Sequence, residues 1–522
     1  MLRVLTASQM REVDRLTTEK AGIPSLLLME NAAAQVVRVL EQEFAPLSRH
    51  RIVVLCGKGN NGGDGLAIAR QLSVQRLAGE VEAVLLADPA SLEGDAAANW
   101  RMAQGAGVRL RIVTDAAGWQ AFRCSVLRAT LAVDALLGTG LEGPARGLIG
   151  EVIDDLSRNF RHVAFAAVDM PSGMGSDTDQ LLEPRCPADV TVTFTAPKLS
   201  QVLPAGPAQT GRLRIVPIGT PDALLAGLAG APLYWLEAED AKFLCAARPV
   251  DSHKGGFGHV GVVGGSRPRP GAAIMAGMAA ARSGAGLTTV VTAQSATVSV
   301  IAAAPELMTV PVPEAADGSM SGQGIASVPL DAFSVLVVGP GLGTCDESVR
   351  LCRSLVERAS QPKVVDADAL TALSRESEWP SSSGTLVLTP HPGEMARLMG
   401  TTSAAVQADR IGIARRLSSE RRAYVVLKGA VTVIAAPDGR AFLNPTGSPA
   451  MATGGSGDIL AGMIGGLLAQ FPAADPVLVL CGAVYLHGLA AELAAGEMGE
   501  QAMLATDILK FLPQAVHSVQ QA

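Results

Sequence analysis

Carboxylates that follow glycine-rich turns or end apolar runs are the residues of this chain best placed to do chemistry. The sharpest case runs Met451-Ala452-Thr453-Gly454-Gly455-Ser456-Gly457-Asp458, where glycines deliver the chain into a long helix-compatible stretch with Asp458 in its first turn. Free amides at a helix start, with the helix dipole, make an anion hole, and an adjacent carboxylate can take a proton from an attacking hydroxyl. That pairing points to phosphoryl transfer to an alcohol. A helix-stabilising Asp, at up to about 1 kcal/mol, accounts for Asp458 but not for the glycines before it. Upstream, Lys428-Gly429-Ala430-Val431-Thr432 follows an apolar run and could hold nucleotide phosphates. His391-Pro392-Gly393-Glu394 follows another, and a lone His there is nearly as often structural as functional.

The first half offers a different set. Gly57, Gly59 and Gly62 have the GxGxxG spacing directly after the run RIVVLC and before a helix-compatible stretch, so backbone amides could cradle a pyrophosphate. Asn60, Asn61 and Asp64 in the same loop are more polar equipment than a tight turn requires, and no GK[ST] closes the loop as a Walker A motif would. Asp134 and Asp169 end two further apolar runs. In an open parallel sheet the carboxyl ends of the strands line the ligand crevice, so Asn61, Asp134 and Asp169 could converge there, although each Asp taken singly could merely cap a turn.

These residues need strand ends to hold them. Apolar runs bounded by turn residues begin at Arg51, Val81, Ala129 and His162, and a second series begins at His259, Leu287, Ser334, Pro362, Gly384 and Ala423. Each precedes a helix-compatible stretch, which predicts βαβ units and parallel sheets, hence an α/β fold in two domains. The stretch from Ile218 to Asp240 has Gly, Pro and Ala without a strand-like core, so the boundary is placed near residue 225, giving domains 1–225 and 226–522. The 522 residues, 48% hydrophobic with scarce aromatics, suit that class.

The net charge of −7 has no long basic run, which excludes an electrostatic footprint for nucleic acid or anionic lipid. Seven cysteines without CxxC spacing fit a reducing cytoplasm better than a disulfide framework or zinc site. The first residues lack an apolar signal-peptide core, and no stretch of ~18 apolar residues is free of Gly, Pro and charge, so no membrane span is expected.

NNGGDG, VDALLGTGL and VDMPSG, with LLLMENAA at Leu26 to Ala33 and TAPK from Thr195, resemble NAD(P)H-hydrate epimerase over nearly all of residues 1–220. The resemblance implies a Rossmann-like three-layer α/β/α domain. Its dinucleotide would lie on Asn60, Asn61, Gly62, Gly63 and Asp64 and on Gly138, Thr139, Gly140, Leu141, Glu142, Gly143 and Pro144. Asn61, Asp134 and Ser172 would bind K+, and Asp169 would contact the damaged ring. The hydrated ring carries a hydroxyl on a carbon bonded to nitrogen, whose lone pair assists its departure. A positioned carboxyl could catalyse loss and return of that hydroxyl from the opposite face, with Asp169 as the catalytic candidate.

KGGFGHVGVVGGS, GPGLG, DADAL, TPHPGEMARL, LKGAVT and GGSGD similarly resemble the ribokinase-like, ADP-dependent NAD(P)H-hydrate dehydratase over residues 235–515. By that resemblance ADP would lie on Lys428 to Thr432 and on Ser448, Pro449, Ala450, Met451, Ala452, Thr453, Gly454, Gly455, Ser456 and Gly457. The hydrate would meet Ala272, Gly341, His391, Pro392, Gly393, Glu394, Met395, Ala396, Arg397 and Asp458. Its hydroxyl would attack the β-phosphoryl of ADP with Asp458 as catalytic base and Mg2+ on the diphosphate. Phosphate, a better leaving group than hydroxide, would then depart. One departure from the family pattern is Ser448 where an Asn is usual, and another is Thr220 where an Ile is common. The implied partners are hydrated NADH or NADPH and ADP, in a homo-oligomer without nucleic acid or membrane. The alternative is a ribokinase-like sugar or vitamin kinase fused to a non-catalytic nucleotide-binding domain.

Overall fold

The computed structural model describes every residue except Glu142 and Ser377, and of Ile325 and Ser327 the backbone alone. The chain divides into two compact units, Leu2–Gly230 and, with Met1, Ala231–Ala522. The division falls beyond 225 because helix Asp222–Ala226 still belongs to the first unit, where Leu225 and Leu228 pack on Leu5, Met10 and Val13.

After a two-residue strand β1 (Leu2–Arg3), the first unit holds β2 (Arg51–Cys56), β3 (Glu80–Leu85), β4 (Arg109–Ile112), β5 (Leu131–Ala135), β6 (Ala164–Val168), β7 (Val190–Phe194) and β8 (Arg212–Val216). The order β4-β3-β2-β5-β6-β7-β8 is parallel throughout. Alternation of side chains sorts β2 onto two cores. Ile52, Val54 and Cys56 join helices Ser25–Glu43 and Asn60–Val74, while Val53 and Leu55 join Trp119, Phe122, Ile153 and Leu156 on the other face. Both faces are therefore covered, and β2 reads as one apolar run from Ile52 to Cys56 for that reason. The direction of strand order reverses between β2 and β5, so their carboxyl ends open the crevice.

The second unit contains β9 (Leu233–Trp235), β10 (His259–Val263), β11 (Leu287–Ala293), β12 (Met308–Val312), β13 (Val335–Val338), β14 (Lys363–Val365), β15 (Leu386–Leu388), β16 (Tyr424–Leu427), β17 (Thr432–Ala435) and β18 (Ala441–Asn444). Their order is β9-β18-β17-β16-β15-β14-β13-β10-β11-β12. Two expectations are corrected. The Ile218–Asp240 stretch does contain a strand, β9, whose Tyr234 stacks on Phe442 of its neighbour β18. The run from Ala423 is not one strand of a parallel sheet: it folds into β16 and β17, antiparallel, with Lys428 to Val431 as the turn.

Among the described residues one helix, Pro476–Met498, is long and apolar enough to cross a membrane, and 72% of its most apolar window is buried inside the unit. Ala483, Leu486, Ala490 and Ala491 face the core there, so it is the central helix of a packed layer.

Candidate active sites

In the first unit, β2 feeds Gly57 to Gly59 into the helix that starts at Asn60. The loop lies so close to the end of β5 that a Cβ at Gly57 would fall 2.0 Å from Leu136 O, and one at Gly62 only 1.8 Å from Gly57 O. Glycine is obligatory there for space. Asn60 is exposed at the helix start, Gly63 packs on Met29, and Asn61 Nδ2 donates to Leu137 O at 2.9 Å with Gly138 alongside. Thr139, Gly140, Leu141 and Gly143 border a cavity of about 290 Å³, Pro144 is exposed beyond it, and Glu142 lies outside the described residues.

Asp134 is fully buried at the end of β5. Ser172 reaches it twice, through its N–H at 2.7 Å and its Oγ at 2.6 Å, and Leu136 N–H adds a bond at 3.2 Å. Ser172 Oγ also meets Leu137, so Asn61, Asp134 and Ser172 share one knot around the Leu137 peptide. Burial nonetheless raises the Asp134 carboxyl, outweighing those bonds.

Asp169, directly after β6, takes φ +63°, an unfavourable conformation for a non-glycine residue. It is held there: its carbonyl accepts from Gln201 Nε2 at 2.7 Å, and its Oδ1 accepts from Thr193 Oγ1 at 3.1 Å. Oδ1 also forms an ion pair with Lys198. Lys198 is 1% exposed and donates further to Thr193 Oγ1 at 2.8 Å. Two other carboxyls feel this pair. Asp64 is raised well above its ordinary value by burial first and then by Asp169 and Asp14, and Asp14 is pushed up to about 6 by burial, with Lys198 opposing and Asp169 adding. Lys198 belongs to the TAPK segment and could have been picked out by its proximity to a strand end. Asp14, on helix Ala7–Glu19, gave no sequence signal beyond a helical face.

In the second unit three strand ends and a helix start converge. Lys428, after β16, binds Asp366 Oδ1 at 2.6 Å and approaches Glu394 Oε2 at 3.9 Å. A Cβ at Gly457 would lie 3.1 Å from Lys428 Nζ and 3.8 Å from Asp366 Oδ2, so the glycine-rich helix start abuts this pair. Asp458 is pushed up to about 7 by burial first, then by Asp366, with Lys428 opposing. Glu394 reaches about 7 by burial, again with Lys428 opposing. Lys428 itself, despite its burial, is raised by Asp366 and Glu394. Asp366, of the DADAL segment, is 1% exposed; Thr389 Oγ1 donates to its Oδ1 at 2.7 Å, and its Oδ2 has no hydrogen-bond partner among the described residues.

His391 turns out to be a cap: its Nδ1 accepts from Gly393 N–H at 2.9 Å, while its own N–H donates to Glu394 Oε2 at 2.8 Å, at the start of helix Pro392–Leu398. Its charge is disfavoured by burial and by Lys428. Arg397 reaches Thr371, whereas Met395 and Ala396 are buried in the interior. Gly341, at φ +64°, packs against Ala272, with a Cβ-to-Cβ approach of 3.1 Å were a side chain added.

The Lys428–Val431 turn is clamped by Arg410, whose Nη2 donates to Leu427 O at 3.1 Å and Lys428 O at 3.3 Å. Gly429 lies against that guanidinium, Ala430 is exposed, Val431 takes φ +54°, and Thr432 Oγ1 donates to Gly429 O at 3.1 Å. Ser448 caps the turn Pro449–Met451 by accepting from Ala450 N–H, and Met451 packs with Ala450 on the neighbouring helices. Ala452 and Thr453 lead into Gly454 and Gly455, and Ser456 opens the helix with its hydroxyl on Thr453 O. Buried His487, lowered to about 4 by burial, lies against the Ser456 backbone.

Four of the described non-glycine residues with positive φ, namely Asp169, Thr195, Ala367 and Val431, fall at these strand ends. Backbone strain of that kind persists where surrounding structure over-determines it, commonly at functional sites.

Comparisons with known proteins follow the same division. A family model described as NAD(P)H-hydrate dehydratase matches residues 260–514, and one described as YjeF-related protein N-terminus matches residues 25–200. The bifunctional NAD(P)H-hydrate repair enzyme of Moorella thermoacetica is 41% identical over 99% of this chain and 97% of its own length. Those of Thermofilum pendens and Escherichia coli are 36% and 35% identical, covering 100% and 98% of this chain and 97% and 93% of theirs. The ADP/ATP-dependent NAD(P)H-hydrate dehydratase of Bacillus subtilis, co-crystallised with ATP and Mg2+, superposes with a TM-score of 0.50 at 34% identity, over 55% of this chain and 98% of its own.

Proposed function

The chain belongs to the family of bifunctional NAD(P)H-hydrate repair enzymes, and from that premise we propose how its two sites divide the work. The first unit epimerises the R and S forms of hydrated NAD(P)H, and the second dehydrates the S form, splitting ADP into AMP and phosphate. The observation that carries the second step is the junction of Gly457, Lys428 and Asp458: a glycine-rich helix start, a half-buried cation and a carboxyl pushed up to about 7 lie together. The hydrate hydroxyl forms a bond to the β-phosphorus while the bridging P–O bond to AMP breaks and Asp458 takes the hydroxyl proton. The C–O bond then breaks with phosphate as leaving group, the ring nitrogen supplying the electron pair, and loss of a proton from the adjacent carbon restores the dihydronicotinamide. Lys428 holds the phosphoryl oxygens through both stages.

In the first unit the same nitrogen lone pair expels the hydroxyl, and water returns to the other face. Asp169 takes the proton of that water, with Lys198 and Gln201 fixing the carboxylate. Asp64, raised by burial, is a carboxyl able to give the proton that the departing hydroxyl needs.

K+ fits the Asn61–Asp134–Ser172 knot. Asp134 is a fully buried carboxylate with only neutral hydrogen-bond donors, and carboxylate, hydroxyl and carbonyl oxygens suit a hard cation. Bound there, it would supply charge opposite the dinucleotide phosphates. Mg2+ fits the orphaned Asp366 Oδ2, since that ion commonly takes one or two carboxylates and completes its shell with phosphate and water. ADP rather than ATP as donor, and a reducing cytoplasm for a chain whose seven cysteines are all free, complete the reading.

The test is the recovery of absorbance at 340 nm from mixed epimers with Mg2+, K+ and ADP. Complete recovery with AMP formed is expected. Arrest after one epimer is consumed overturns the first half of the reading, and a stable phosphorylated product overturns the second.

A further inference from the structure

Helix Ala7–Glu19 lies outside residues 25–200, the part matched by the N-terminal family model, yet it forms a wall of the first site. Ala7, Arg11 and Asp14 follow the i, i+4, i+7 spacing of one helical stripe. Ala7 and Arg11 line the 290 Å³ cavity together with Thr139, Gly140 and Ser176. Ala7 N–H donates to Asp177 Oδ1 at 2.9 Å, and Ser176 Oγ donates to Thr139 O at 3.1 Å, so the helix start and the glycine-rich loop are tied to the same segment. One turn further on, Asp14 feels both Lys198 and Asp169. The stripe thus runs from the cavity to the reacting carboxylate.

Arg11 is the exposed member of the stripe, and its side chain makes no hydrogen bond or ion pair among the described residues. At about 290 Å³ the cavity has the volume for a sugar-phosphate fragment rather than a whole dinucleotide. Asp177, with a second carboxylate oxygen, is suited to ribose hydroxyls, which leaves the guanidinium as the side-chain cation for a phosphate. We propose that Arg11 is a substrate-binding residue of the first site, pairing with the diphosphate of the hydrated dinucleotide beside Thr139 and Gly140. The proposal rests on the epimerase reading of that site. The diphosphate is favoured over the 2′-phosphate because only one helical turn, about 5 Å of rise, separates Arg11 from Asp14. In a dinucleotide the diphosphate is the first charged group beyond the nicotinamide ribose.

The experiment uses the full chain carrying Asp458→Asn to silence dehydration, with Arg11 intact or changed to Ala or Lys, and follows R/S interconversion of hydrated NADH and hydrated NADPH by chromatography. Arg11→Ala raises KM roughly tenfold for both substrates with kcat within about twofold, and Lys lies between. An unchanged KM overturns the proposal, as does a rise confined to the NADPH hydrate, which would assign Arg11 to the 2′-phosphate. Calorimetric binding of intact NADH to the same variants decides the point independently of turnover: a Kd raised roughly tenfold is expected in Arg11→Ala, and an unchanged Kd rejects the role. If the parent chain fails to interconvert epimers while that Kd difference is found, the epimerase reading falls and the phosphate contact stands.

Discussion

Asp458 reaches about 7 because burial strips water from its carboxyl before Asp366 adds its repulsion. A general base works only once ionised, so dehydration should rise about tenfold per pH unit up to pH ~7 and level off above it, as a pH profile of kcat/KM will record. The same shift has a stability sign. A carboxyl raised by folding favours the native state while protonated and opposes it once ionised, so the penalty grows as pH climbs from the unfolded value through about 7. Asp458→Asn should therefore abolish dehydration yet raise Tm at pH 8, with the gain shrinking toward pH 4 in thermal melts. Lys198 predicts the reverse. Removing a 1% exposed cation leaves the Asp169 carboxylate unpaired, and loss of one partner of a buried pair costs about 3–5 kcal/mol. Lys198→Met should lower Tm and stop epimerisation while the S form is still dehydrated, which separate assays of the two epimers will show.

At the level of elements, function sits in strand-end turns where some glycines, Gly57 and Gly62 above all, leave no room for a side chain. Gly457→Ala would set a methyl 3.1 Å from Lys428 Nζ, so dehydration should fall about a hundredfold with Tm nearly unchanged, checked by kcat against far-UV melting. Arg410→Ala should release the Lys428–Val431 turn and raise KM for ADP about tenfold, because three carbonyls lose their common donor. The sequence announces those turns where buried parallel strands feed them, since β6 and β13 are unbroken apolar runs and β2, β5 and β10 are interrupted only by Arg51, Asp134 and His259. It conceals β4, β8 and β12, whose edge positions expose Arg109, Arg212 and Met308, and β9, whose three residues sit in a Gly- and Ala-rich stretch. Asp458, Asp169 and Lys428 were visible because glycines or strand ends flag them. Asp14, Asp366 Oδ2 and Arg410 acquire meaning only from neighbours far away in sequence, and His391 carried a signal that the capping geometry explains instead.

At the scale of the whole molecule, the two units bury separate cores and carry separate carboxylate sites. Mixing an Asp169→Asn chain with an Asp458→Asn chain should therefore clear both epimers completely, with recovery at 340 nm reaching the wild-type plateau, because a released epimer can diffuse to the other molecule. A plateau at the S fraction alone would require transfer within one chain. The pairing of Ala441 with Leu233 bears on a different matter, the time course of folding. Closing so long a loop is entropically expensive and slow, so β18 and β9 zip late, after the local βαβ units have collapsed. The Lys428–Val431 turn between β16 and β17 hangs on that late seam through the β17–β18 ladder. Nucleotide binding at that turn is thereby expected of the finished sheet alone, and ADP present during refolding should trap only chains in which β9 and β18 have already paired.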